Sequence, residues 1–135
     1  MPFIGSVEDR LAIRELFGEY SDAGAIGSAE AWLDCWTDDC HWVSHLFDVS
    51  GKPALRAQWD VLWADWKCVA FFNEIGRIEV AGSVATALST TREIVELNNG
   101  TLFKLVGRYE DRLVKTGGTW RYQLRNYTVL FTETA

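Results

Sequence analysis

The hydrophobic period of this chain changes once, near residue 69, and that change restricts the fold more than any single motif. Before it, apolar residues recur at helical spacing. Leu11, Ile13, Leu16, Phe17, Tyr20 and Gly24 share one stripe behind Ser6, Glu8 and Asp9, a capping residue with acids in the first turn, which predicts a helix over 7–25. Ser28 is placed to cap a short second helix through Ala29, Trp32, Leu33 and Trp36, ending near Thr37. The segment CHWVSHLF, 40–47, then reads as a strand. Gly51, Lys52 and Pro53 open a third helix whose stripe, Leu55, Trp59, Leu62, Trp63 and Trp66, is mostly tryptophan. From Val69 onward, strand-like segments are separated by turn signals at 81–83 (AGS), 98–100 (NNG) and 116–118 (TGG), the pattern of four sequential antiparallel strands. Helices first and a meander afterwards predict an α+β fold: a cone-shaped, curved, mixed or antiparallel sheet wrapped around three N-terminal helices, an α+β barrel with an open mouth.

Length and composition narrow the function classes. A chain of 135 residues without repeats, low-complexity runs or a Pro/Gly linker is expected to form one domain over 1–135. Nineteen acidic residues face thirteen basic ones, and the basic residues are scattered, so a nucleic-acid partner is not expected. Cys35, Cys40 and Cys68 lack the spacing of a zinc knuckle or a disulfide framework and read as free thiols in a reducing compartment. The first residues, MPFIGSVEDR, do not resemble a signal peptide, and no run of about eighteen apolar residues exists to cross a membrane, so a cytoplasmic protein without a membrane partner is expected. Neither G-x-G-x-x-G nor a P-loop occurs, and no cofactor is expected.

Seven tryptophans are the unusual feature. Large flat side chains fill cores, and they also line sites for aromatic or polycyclic ligands, which makes Trp42, Trp59 and Trp63 candidate pocket residues. Strand parity adds polar candidates. If Ala85, Ala87 and Ser89 face the helices, then Thr91 and Glu93 share their face, and burial of Glu93 among aromatic walls would raise its pKa into the range of a general acid or base. On the next strand Phe103, Leu105, Gly107, Tyr109 and Leu113 face inward by the same rule. In the last strand the alternation puts Trp120, Tyr122, Leu124 and Asn126 on one face and Arg121, Gln123, Arg125 and Tyr127 on the other, so Asn126 is a candidate inward polar group. Tyr20 and Tyr109 could supply phenolic donors to a carbonyl oxygen.

His41 and His45, the two histidines, are candidates for proton transfer because imidazole titrates near neutral pH. On one strand they would share a face with Cα atoms roughly 13 Å apart, too far to grip a single metal ion, and no metal site is expected. The opposite face, Cys40, Trp42, Ser44 and Leu46, is the more apolar one and favours histidines turned outward. Asp22 lies about 200° around the helix from Tyr20 and reads as solvated surface, while Asp38 and Asp39 read as turn residues.

The segments EDRLAIRELFGEYSDA, AWLDCWTDDCHW, IEVAGSVATALS and VGRYEDRLVKTGGTWRYQLRNY, in that order and spacing, resemble the SnoaL-like group of the nuclear transport factor 2-like, cystatin-like superfamily over nearly the whole chain. That resemblance implies the α+β cone and an activity of the polyketide cyclase, scytalone dehydratase or ketosteroid isomerase type. It also implies an acid about five residues after the helix-one tyrosine and a histidine on the strand after helix three. Ala25 and Phe71 stand at those positions, with Phe72 and Asn73 beside the second, so the usual acid/base pair is absent. The expectation is a pocket for a small hydrophobic, cyclic, aromatic or polyketide-like molecule, with cofactor-independent dehydration or isomerisation carried by Glu93 or a histidine. The alternative is a non-catalytic binding or assembly subunit. The resemblance further implies a homodimer through the outer sheet face, where Val106, Val114, Tyr127, Val129 and Phe131 are expected.

Overall fold

The computed structural model describes residues 3–135. Helix α1 (Val7–Ile26) begins where the Ser6 hydroxyl accepts from the Asp9 amide at 3.1 Å and ends at Gly27, whose φ of 71° is the left-handed conformation that closes a helix. Ser28 caps α2 (Ala29–Asp34) in the same way. Helix α3 (Lys52–Trp63) carries Pro53 in its first turn, where the missing amide hydrogen has no intrahelical partner to lose.

Seven strands form one curved, open sheet: β1 (Phe3–Ile4), β2 (Trp36–Val43), β3 (Asp48–Ser50), β4 (Trp66–Ala81), β5 (Val84–Leu97), β6 (Leu102–Thr116) and β7 (Thr119–Thr134), in the spatial order β1-β4-β5-β6-β7-β2-β3. The β4 to β7 meander is antiparallel as the turn signals predict, and β1 on β4 and β2 on β7 are parallel additions. On β5 the small residues Ala85, Ala87 and Ser89 are buried on the face towards the helices. Helix α1 lies against β4 and β7, pinned at its start by Asp9, which accepts from Lys115 Nζ and Trp120 Nε1, each at 3.0 Å.

Three local expectations give way. Helix α2 stops at Asp34 and Trp36 opens β2, because the strand that continues it can pair with β7. Strand β2 ends at Val43, so His45 lies in the 44–47 connection rather than on the strand with His41. Trp66 belongs to β4 rather than to α3.

The largest departure is in β7. Leu113 pairs with Tyr122 while Arg112 pairs with Leu124, so Gln123 is an extra residue, a β-bulge. One inserted residue reverses the alternation beyond it. Arg125 and Tyr127 are buried and Asn126 is exposed, the reverse of strict parity. A second shift at Leu130, between Val129 opposite Gly107 and Phe131 opposite Val106, returns Phe131 to the outer face. Tyr127 and Val129 therefore leave the outer apolar surface expected for pairing of two copies.

Candidate functional site

Between the helices and the concave face of the sheet lies a cavity of about 190 Å³. One wall is tryptophan. Trp42 of β2, Trp32 of α2, Trp59 and Trp63 of α3 and Trp66 of β4 run in sequence, with ring centroids 5.1, 4.9, 5.3 and 5.6 Å apart, and Phe47 packs on Trp42 at 4.5 Å. The period of the helices explains this wall: Trp59 and Trp63 are one turn apart on α3, and Trp32 faces them from α2. The sheet supplies the opposite wall through Phe71, Glu93, Phe103, Leu105, Tyr109, Tyr127 and Val129, and Tyr20 and Gly24 close it from α1. His45 and Leu46 stand at the rim with Ser44, in the 44–47 connection.

Two close approaches shape the sheet wall. The Phe71 ring lies on the backbone of Gly24, and the Tyr127 ring lies on the backbone of Gly107; a Cβ at either glycine would collide with the ring. Glycine at both places gives the ring room and does not serve backbone conformation, since neither has a positive φ.

Glu93 is the one acidic or basic side chain other than His45 among the described cavity-lining residues, and it is 8% exposed. Burial pushes its carboxyl up to about 7, against the opposing attraction of Arg125. No hydrogen bond offsets that burial.

Behind Glu93 sits a second buried charge group. Arg125 donates to Asp111 through Nε at 2.8 Å and Nη2 at 3.1 Å, with the arginine side chain 1% and the aspartate side chain 0% exposed. The guanidinium is enclosed by rings, at 3.7 Å from the centroid of Tyr109, 4.2 Å from Tyr122, 4.5 Å from Tyr20 and 5.2 Å from Phe17. Desolvation is the largest influence and works against its charge, but the attraction of Asp111 together with that of the surrounding tyrosine oxygens exceeds it, and the guanidinium holds its proton more firmly than usual. Burial in turn pushes the Asp111 carboxyl up, with Arg125 opposing the shift. Burial also raises the phenols of Tyr20 and Tyr109, which stay neutral donors.

The structure brings Glu93, Tyr20, Tyr109, Trp42, Trp59, Trp63 and Phe71 together at this cavity. His45 joins them at the rim, while His41, Phe72, Asn73 and Asn126 do not reach it. His41 faces away from the cavity and its Nε2 bonds Asp48 Oδ1 across the β2–β3 pair. Phe72 is exposed on the outer face beneath the Arg92 guanidinium, because Phe71 and Phe72 point to opposite sides of β4. The amide nitrogen of Asn73 donates to Ser21 Oγ at 2.6 Å and ties β4 to α1. Asn126 is turned out by the β7 bulge. Ala25 is exposed, and the cavity-facing position of that turn is Gly24.

Arg125, Asp111 and Tyr127 were not among the site residues expected from the sequence. Asp111 carried a signal, since it shares parity with Tyr109 and Leu113 on β6. Arg125 and Tyr127 carried none, because the bulge depends on pairing with β6. Among the described residues no cluster of His, Cys, Asp and Glu is arranged to hold a metal ion, and no helix is long and apolar enough to cross a membrane.

Residues 5–126 match the family profile described as a SnoaL-like domain. Among solved structures, a provisionally assigned scytalone dehydratase from Novosphingobium aromaticivorans DSM 12444 superposes with a TM-score of 0.88 at 21% identity, covering 94% of this chain and 87% of its own. A provisionally assigned aromatic ring hydroxylase from Novosphingobium aromaticivorans gives a TM-score of 0.88 at 21% identity, covering 97% and 96%. The hexachlorocyclohexane dehydrochlorinase LinA-type3 from Novosphingobium barchaimii LL02 gives 0.85 at 15% identity, covering 96% and 91%. At these identities the likeness establishes the fold. No curated protein matches the sequence.

Proposed function

The chain belongs to the SnoaL-like domain family, and from that premise we propose that it binds a small cyclic, aromatic or polyketide-like molecule in the tryptophan-walled cavity and moves a proton on it without a cofactor. The observation that carries this reading is Glu93, a buried carboxyl that opens on an otherwise aromatic and aliphatic cavity. A carboxyl held near neutrality by desolvation is part acid and part base at working pH, which suits removal of a proton beside a carbonyl and its return at another carbon, or departure of a hydroxyl. Tyr20 and Tyr109 are the donors for the developing oxyanion. The histidines take a smaller part: His45 at the rim reaches only a ligand that protrudes. A cytoplasmic setting and pairing of two copies through the outer sheet face around Val106 and Phe131 complete the proposal.

The test works whatever the natural product is. A panel of cyclic ketones incubated with the protein in deuterated water is followed by proton NMR for exchange beside the carbonyl. The wild-type chain should accelerate exchange for at least one ketone, and Glu93→Gln should reduce it by roughly a hundredfold or more. Exchange that is the same in both proteins would remove Glu93 from the reaction. A second reading, a binding or assembly subunit, is favoured by Ala25 and Phe71, which stand where the resemblance implies an acid/base pair, and by the bare backbone of Gly24, the position of that turn that meets the cavity. Binding without exchange for the whole panel is its expected result.

A further inference from the structure

When Glu93 is ionised, the charges buried in this fold do not balance. Among the described residues the buried carboxyl and cationic side chains are Glu93, Asp111 and Arg125. Asp111 and Arg125 neutralise each other through two hydrogen bonds, with the guanidinium enclosed by four rings and its Nε and Nη2 donors on Asp111. Glu93 is left without a counter-ion. The cavity on which it opens offers no lysine or arginine, and its other wall is a run of five indoles from Trp42 to Trp66.

Indole faces carry the most negative π-surface of any side chain and attract cations, ammonium groups especially. A desolvated carboxylate attracts them more strongly still, because little water competes. The two features face one cavity. Resting on the ligand-binding reading above, we infer that the natural ligand is an organic cation, a ring system bearing a quaternary or protonated nitrogen, with the ring on the tryptophan wall and the nitrogen against Glu93. The missing counter-ion of the interior is then the ligand itself. The same arrangement disfavours an anion, which would meet Glu93 and the indole faces with no positive group exposed to it.

The inference separates from the pocket reading in one titration series. Benzyltrimethylammonium, its neutral carbon isostere 2,2-dimethylpropylbenzene, and phenylacetate are titrated into the full chain, with tryptophan fluorescence as the readout, for wild type, Glu93→Gln and Glu93→Asp. The cation is expected to bind at least about tenfold more tightly than the isostere in wild type, with phenylacetate weakest. Glu93→Gln should bring the cation to within about threefold of the isostere, the remainder being cation–π attraction, while Glu93→Asp retains part of the preference. If the isostere binds as tightly as the cation, or if the preference survives unchanged in Glu93→Gln, the cation inference is overturned while the apolar pocket stands. If none of the three binds, the pocket reading fails and takes the inference with it.

Discussion

The Phe71 ring rests on the bare backbone of Gly24, one helical turn beyond Tyr20, and a Cβ on Gly24 would meet the ring edge. Here α1 and β4 approach so closely that one side chain serves for two. Gly24→Ala is expected to destabilise the protein by roughly 1–3 kcal/mol, the cost of forcing a methyl into a packed wall, despite alanine being the better helix former. Gly24→Ala combined with Phe71→Ala should lie closer to Phe71→Ala alone than additivity allows. Urea denaturation of the four proteins measures the coupling, and strictly additive losses would show that the ring moves aside freely.

Asp111 and Arg125 are bonded out of reach of solvent, so removing one leaves the other as a buried, uncompensated charge. Asp111→Asn is expected to cost about 3–5 kcal/mol. The double variant Asp111→Leu/Arg125→Met, which removes both charges while keeping bulk, should recover most of that loss. Chemical denaturation checks it: a double variant no better than Asp111→Asn would mean that the rings around the guanidinium depend on the cation itself.

Glu93 gives the fold a pH dependence of definite sign. Its carboxyl titrates near 7 when folded against an ordinary 4.5, so the folded state binds the proton more tightly than the unfolded one. The resulting stability is present in full below about 4.5, declines between there and about 7, and is absent above, a span of roughly 3 kcal/mol from this group. Glu93→Gln cannot ionise and should flatten that decline, becoming more stable than wild type at pH 8 but not at pH 4. Thermal melts of both proteins across this range decide the matter; parallel curves would mean that water or a counter-ion already solvates the carboxylate.

Gln123 is the residue that lets β7 turn Arg125 and Tyr127 inward. Deleting it should restore strict alternation, drive Asn126 towards the core and eject Arg125 from Asp111, at a cost above that of Asp111→Asn. Substituting Gln123 by Ala keeps the chain length and should change stability by less than about 1 kcal/mol, since its side chain is half-buried and bonds Asp39 and Arg112 near the surface. Far-ultraviolet circular dichroism with urea titration compares the two. A deletion variant as stable as wild type would show that the strand can slip without penalty.

The sequence alone determined the parts of this protein that depend on near neighbours. Ser6 and Ser28 as caps, the tryptophan stripe of α3, the three glycine-bearing turns and the inward set from Ala85 to Glu93 are each set by residues within a turn or a strand of one another. Helices followed by a meander then left little choice of architecture. The remaining features depend on pairing between distant segments. The bulge at Gln123 shows only in the pairing of β6 with β7, and it buried Arg125 in place of Asn126. Strand β2 ended at Val43, where its pairing with β7 stops, and that left His45 in the connection at the rim while His41 kept the outward face that alternation assigns it. Gly24 and Phe71 are 47 positions apart, and only the packing of α1 on β4 reveals that one occupies the space the other leaves. Alternation is a local rule with a period of two, and a single extra residue reverses everything after it; the contacts that position that residue lie outside any local window.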